Sequence, residues 1–87
     1  MTKIYTYCLF DKDGNFEGIY SSLKSAYRDA LKLSNRGHGD VYMMGPEGWQ
    51  TPSLKDLRNI LKGSFDVIIL FKSSHAGARI LKTKLRE

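Results

Sequence analysis

The sequence predicts an α+β fold: one domain over residues 1–87, ordered ββαβαββ, with a mainly antiparallel sheet and two helices packed on one face. Three observations predict it. Apolar residues recur at spacings of three and four from Leu23 to Leu33 and again from Leu54 to Leu61, the period of a helix with one buried stripe. The segments around them alternate, or run continuously apolar, as strands do. Asp13-Gly14 between two such segments is a hairpin turn, so the first pairing is antiparallel.

"KIYTYCLF" puts Tyr5, Tyr7 and Leu9 on one face and Ile4, Thr6, Cys8 and Phe10 on the other. Both faces are fairly apolar, which predicts an interior strand. "DKDGN" turns the chain, because Gly accepts positive φ and Asp can bond the turn amides. "FEGIY" returns as the second strand. "SSLKSAYRDALKLS" is an amphipathic helix capped by Ser21 or Ser22. Leu23, Ala26, Tyr27, Ala30 and Leu33 form its inner stripe, and Lys24, Arg28 and Lys32 another face. "NRGHG" ends it, with Asn and Gly suited to a left-handed cap.

"DVYMM" is the third strand. "GPEGWQTP" reads as a loop, in which Trp49 needs cover from the domain or from a partner. "TPSLKDLRNILKG" is the second helix, with Thr51 as cap, Pro52 in the first turn and Gly63 past the end. Leu54, Leu57, Ile60 and Leu61 face inward, and Lys55, Arg58 and Lys62 outward. "FDVIILFK" is a continuous β-branched and aromatic run, predicted to be buried on both faces.

"SSHAG" reads as a connection, and "ARILKTKL" reads two ways. As a helix it aligns Ala78, Leu81 and Leu85. As a strand it puts Arg79, Leu81, Thr83 and Leu85 on one face and Ile80, Lys82, Lys84 and Arg86 on the other. The turn residues before it favour a hairpin, and the segment reads as an edge strand, with leucines toward the helices and lysines toward solvent or phosphate. Edge lysines also discourage unwanted strand pairing.

Composition narrows the function. The chain has 87 residues, 41% hydrophobic and 26% charged, which is ordinary for a globular domain and leaves no room for a cleft between lobes. A single cysteine, Cys8, excludes an internal disulfide and a multi-cysteine zinc site, and fits a reducing cytoplasm. The longest apolar run, Val67 to Phe71, is far short of a membrane span, and the first residues lack a signal-peptide core. The net charge is +5. Residues 1–51 hold six basic and six acidic residues; residues 52–87 hold eight basic and three acidic ones. The whole excess lies in the second half, which suggests RNA, another polyanion or an acidic partner.

The chemical motifs are weak. Asp11, Asp13 and Asn15 begin like a calcium loop, but Phe16 stands where Gly is needed and Ser22 where a bidentate Glu is needed. A tight hairpin explains them better, so no metal or cofactor is expected. Ser73, Ser74 and His75 are sequence neighbours, which rarely gives nucleophile-to-base geometry, and no orienting carboxylate is near. His38 and His75 could serve a small histidine-dependent nuclease, but plain surface histidines are the simpler reading. The basic residues carry more. Lys55, Arg58 and Lys62 on the helix, with Arg79, Lys82, Lys84 and Arg86 on the last strand, would together form a surface that neutralises phosphates. Trp49 is the candidate partner contact.

"YCLFDKDGNFEGIYSSLKSAYRDAL" resembles short early proteins of T4-like bacteriophages, where a strand, a D-x-x-G turn and a strand ending in "YSS" lead into a helix with "SAY". That group includes a toxin inhibitory factor, a small basic protein that counters a host endoribonuclease toxin and associates with RNA. The resemblance covers about residues 4–31. It implies a small non-enzymatic inhibitor in the host cytoplasm, active in counter-defence, and no site residue is carried over from it. The expectation is an RNA-binding inhibitor, acting on RNA or on a host ribonuclease–RNA complex. The alternative is an antitoxin-like protein-binding module, or an oligomer formed through an exposed sheet edge.

Overall fold

The computed structural model describes residues 5–35, 40–62, 67–74 and 76–84, with Lys84 described by its backbone alone. Six strands and two helices follow in chain order: β1 (Tyr5–Asp11), β2 (Phe16–Tyr20), α1 (Leu23–Ser34), β3 (Tyr42–Gly45), β4 (Gly48–Gln50), α2 (Leu54–Leu61), β5 (Val67–Lys72) and β6 (Gly77–Lys84). The strands form one sheet in the order β2-β1-β6-β5-β3-β4, and every pairing is antiparallel. The α+β architecture expected from the sequence is the one observed.

Local chemistry sets the elements. At the first hairpin, Asp11 accepts from the Asp13 and Asn15 amides at 2.9 and 2.8 Å and from the Asn15 side chain at 2.9 Å. Gly14 supplies the positive φ of +86°. The Asp–Asn pattern that looks like a metal loop is a self-bonded turn. Ser22 caps α1 by accepting from the Ser25 amide, and Asn35 closes it by donating its amide to the Leu31 carbonyl. Asn35 has φ −94°, so it is not left-handed, and the glycines after it lie outside the described residues. The α2 cap is Ser53, not Thr51; its hydroxyl accepts from Asp56 N at 3.2 Å. Ser53 is extended, at φ −150° and ψ 125°, as a cap residue is, so the helix begins at Leu54.

Both helices lie on one face of the sheet. Leu23, Ala26, Ala30 and Leu33 of α1 and Leu57 and Leu61 of α2 are buried there. From the sheet they meet Leu9, Met43, Ile69, Phe71, Ala78 and Ile80. The shortest dimension, 17 Å, is the depth of two layers and leaves no third.

Four further expectations are corrected. β6 is not an edge strand: it lies between β1 and β5. Its faces are also the reverse of the expected ones. Ala78, Ile80 and Lys82 face the helices and are buried, while Arg79, Leu81 and Thr83 stand on the other face. β5 is buried on one face only; Ile69 and Phe71 point inward, whereas Ile68 is 54% exposed and Leu70 is also exposed. A continuous apolar run signals two buried faces only when both faces are covered, and here the helices cover one. In addition, the segment expected as a loop forms β4, which pairs Trp49 with Met44.

Candidate functional site

The helix layer gathers cations. On α1, Lys24, Arg28 and Lys32 are exposed at one-turn spacing; on α2 and at its end, Lys55, Arg58 and Lys62 are exposed. The two acidic residues carried by these helices are both engaged. Asp29 accepts from the Tyr20 hydroxyl at 2.6 Å and from Arg28 Nε at 3.4 Å. The Tyr20 bond is the main cause of its carboxyl lying below the ordinary value, and the same bond raises the Tyr20 phenol. Asp56 accepts from Gln50 Nε2 at 2.8 Å, which ties β4 to the start of α2. Six exposed cations against two carboxylates leave the outer surface of the layer cationic.

The strand cations do not join that surface. Lys82 is 6% exposed. Its Nζ donates to the Leu61 carbonyl at 2.7 Å and lies 4.4 Å from the centre of the Tyr5 ring. It is a buried helix-capping lysine, not a solvent-facing contact. Arg79 is on the opposite face of the sheet, where its Nη2 donates to the Lys12 carbonyl at 2.9 Å. The Lys84 side chain and Arg86 lie outside the described residues. The expected stripe of Lys82 beside α2 is thus dispersed, and Lys55, Arg58 and Lys62 share the helix layer with Lys24, Arg28 and Lys32. The spacing of Lys24, Arg28 and Lys32 was visible in the sequence. Its meaning was hidden by the zero net charge of residues 1–51, whose acids are spread over β1, β2, α1 and the connections.

The other face of the sheet carries no helix. All the exposed large apolar residues among those described lie on it: Phe16, Ile19, Tyr42, Trp49, Ile68 and Leu70. Trp49 stands on edge strand β4 with Lys72 Nζ 4.2 Å over its ring. Phe10 and Phe16 meet edge to face at 5.9 Å.

The Ser73 hydroxyl donates to the Ser34 carbonyl at 2.6 Å and so ties two segments together. His38 and His75 lie outside the described residues. Among the described residues no helix is long and apolar enough to cross a membrane, and no three His, Cys, Asp or Glu cluster. Comparison with family models, with curated proteins and with solved structures finds no match to this chain.

Proposed function

We propose that the chain is a non-enzymatic protein that binds RNA, free or held by a host ribonuclease, through the outer surface of its helix layer, and so blocks access to it. One observation carries the reading. Lys24, Arg28, Lys32, Lys55, Arg58 and Lys62 are all exposed on the helix layer, against the two carboxylates Asp29 and Asp56. Such a surface neutralises phosphates without demanding a base sequence, and counterion release drives the association.

The experiment is a titration of a single-stranded RNA at two salt concentrations. A steep loss of affinity with salt is the expected result. Absence of binding at low salt would overturn the reading. Cleavage of the RNA that disappears on replacing His38 and His75 would overturn the non-enzymatic part.

A further inference from the structure

We infer that the open face of the sheet is covered by a second copy of this chain, packed face to face as a symmetric sandwich. The inference is independent of RNA binding, which uses the opposite layer.

The face is built in rows by the strand register. Phe16, Phe10, Arg79 and Leu70 form one row across β2, β1, β6 and β5. Ile19, Cys8, Leu81 and Ile68 form the next, and it is wholly uncharged. Thr6 and Thr83 follow toward the far end of the strands. Ile19 is 64% exposed and Phe16 57%. Isolated exposed apolar residues are ordinary, but a contiguous set confined to one flat face marks an interface.

Area supports a specific contact. At about 4.8 Å between strands and about 7 Å between rows, the face measures about 24 by 20 Å, so two copies cover on the order of 1,000 Å² before side-chain relief is added, which reaches the size of a specific interface.

Charge supports a copy of itself over an acidic partner. Of the described cations on the face, Lys72 lies over Trp49 and Arg79 bonds the Lys12 carbonyl, while Lys12 itself stands beside Gly77; all three lie toward the same end of the strands. None of the register-paired residues on the face is acidic. A two-fold axis across the strands, near Cys8 and Leu81, sets the uncharged row against itself. It also carries Arg79 of each copy toward the threonine end of the other, so like charges stay apart. Two twisted sheets pack this way with their strands about 30° from parallel, and the contact is self-complementary as two-fold symmetry requires.

The test is the solution mass by sedimentation equilibrium across a wide concentration range. The expected species is twice the 9.9 kDa chain. Ile68→Asp and Ile19→Asp should each weaken the dimer by more than about a hundredfold, because the interface would bury unpaired carboxylates. Both sites are exposed in the single chain, so circular dichroism should be unchanged. The sole cysteine, Cys8, lies near the proposed axis, so a short bis-maleimide should link two unsubstituted chains. That readout stands even if a variant fails to fold. A wild-type chain that stays monomeric overturns the proposal. So does a dimer that survives both substitutions and is not linked through Cys8, which would place the contact at a sheet edge. A monomer whose RNA binding is lost on Trp49→Ala or Ile68→Asp would assign the face to nucleic acid instead.

Discussion

Lys82 Nζ donates to the Leu61 carbonyl at 2.7 Å, so a lysine of an interior strand closes the last turn of α2. The final carbonyls of a helix have no partner within it, and a cation there also meets the negative end of the helix dipole. Tyr5 covers the ammonium from one side. This residue therefore belongs to the fold, although its type and its strand position suggest a phosphate contact.

Lys82→Met keeps the stem and removes the donor. Stability should fall by about 1–3 kcal/mol, the range for a hydrogen bond to a charged group together with an orphaned buried carbonyl. Urea unfolding measures it. RNA affinity of the folded variant should be unchanged, and a tenfold loss would return Lys82 to the binding surface.

Charge reversal separates the two layers. Lys24→Glu with Lys55→Glu should weaken RNA binding. It should also reduce the slope of log affinity against log salt by about 0.7 for every phosphate of a single strand that is no longer neutralised. Arg79→Gln, on the opposite face, should leave the slope as it is. Equal effects from the two would mean that RNA reads net charge and not the helix layer.

The Tyr20–Asp29 bond makes stability depend on pH at both ends. The Asp29 carboxyl lies below its ordinary 3.8, chiefly because Tyr20 donates to it. A carboxyl depressed by folding stabilises above its unfolded value, and that contribution is lost as pH falls through the folded one. The Tyr20 phenol is raised above 10.0 by the same bond. Its contribution is present below pH 10 and is lost as pH rises through the folded value. Tyr20→Phe should therefore flatten the thermal stability profile at the acid and alkaline ends together. In carboxyl NMR, Asp29 should titrate closer to 3.8 in the variant. An unmoved Asp29 would assign its depression to Arg28 and Lys32.

Two glycines should respond to alanine for different reasons. Gly48 sits at φ +118° with nothing within 4 Å of an added Cβ. Gly48→Ala therefore carries a backbone penalty alone, about 1–2 kcal/mol. At Gly77 an added Cβ would lie 2.9 Å from the Phe71 carbonyl oxygen and 3.1 Å from Lys12 Cβ, inside the β5–β6 ladder. Gly77→Ala should be the more damaging, in the same unfolding assay. The reverse ranking would show that the ladder shifts to admit the methyl.

Much of the fold was legible because its signals are local. The Asp13-Gly14 turn, the two helical stripes and the serine cap of α1 depend on residues within a few positions of one another. β4 was not legible. Its pairing of Met44 with Trp49 rests on a two-residue turn at Pro46 and Glu47, with Gly48 adopting a conformation that no local pattern announced. The candidate site was legible only in part. Lys55, Arg58 and Lys62 follow from helical spacing, whereas their association with Lys24, Arg28 and Lys32 requires that both helices lie on one face.

By itself the sequence determined the two amphipathic helices and the first hairpin turn, and left the last segment open between strand and helix. Only the tertiary structure decided which face is inside. In "ARILKTK" each alternate set mixes apolar with polar residues, Ile80 with Lys82 and Leu81 with Arg79, so the period of two leaves the choice open. Two partners remote in sequence settle it. The Leu61 carbonyl offers Lys82 an acceptor inside the helix layer, and the Lys12 carbonyl offers Arg79 one outside. A lysine is buried and a leucine left on the open face where the strand pattern is indifferent and the carbonyl at the end of α2 supplies the lysine with an acceptor.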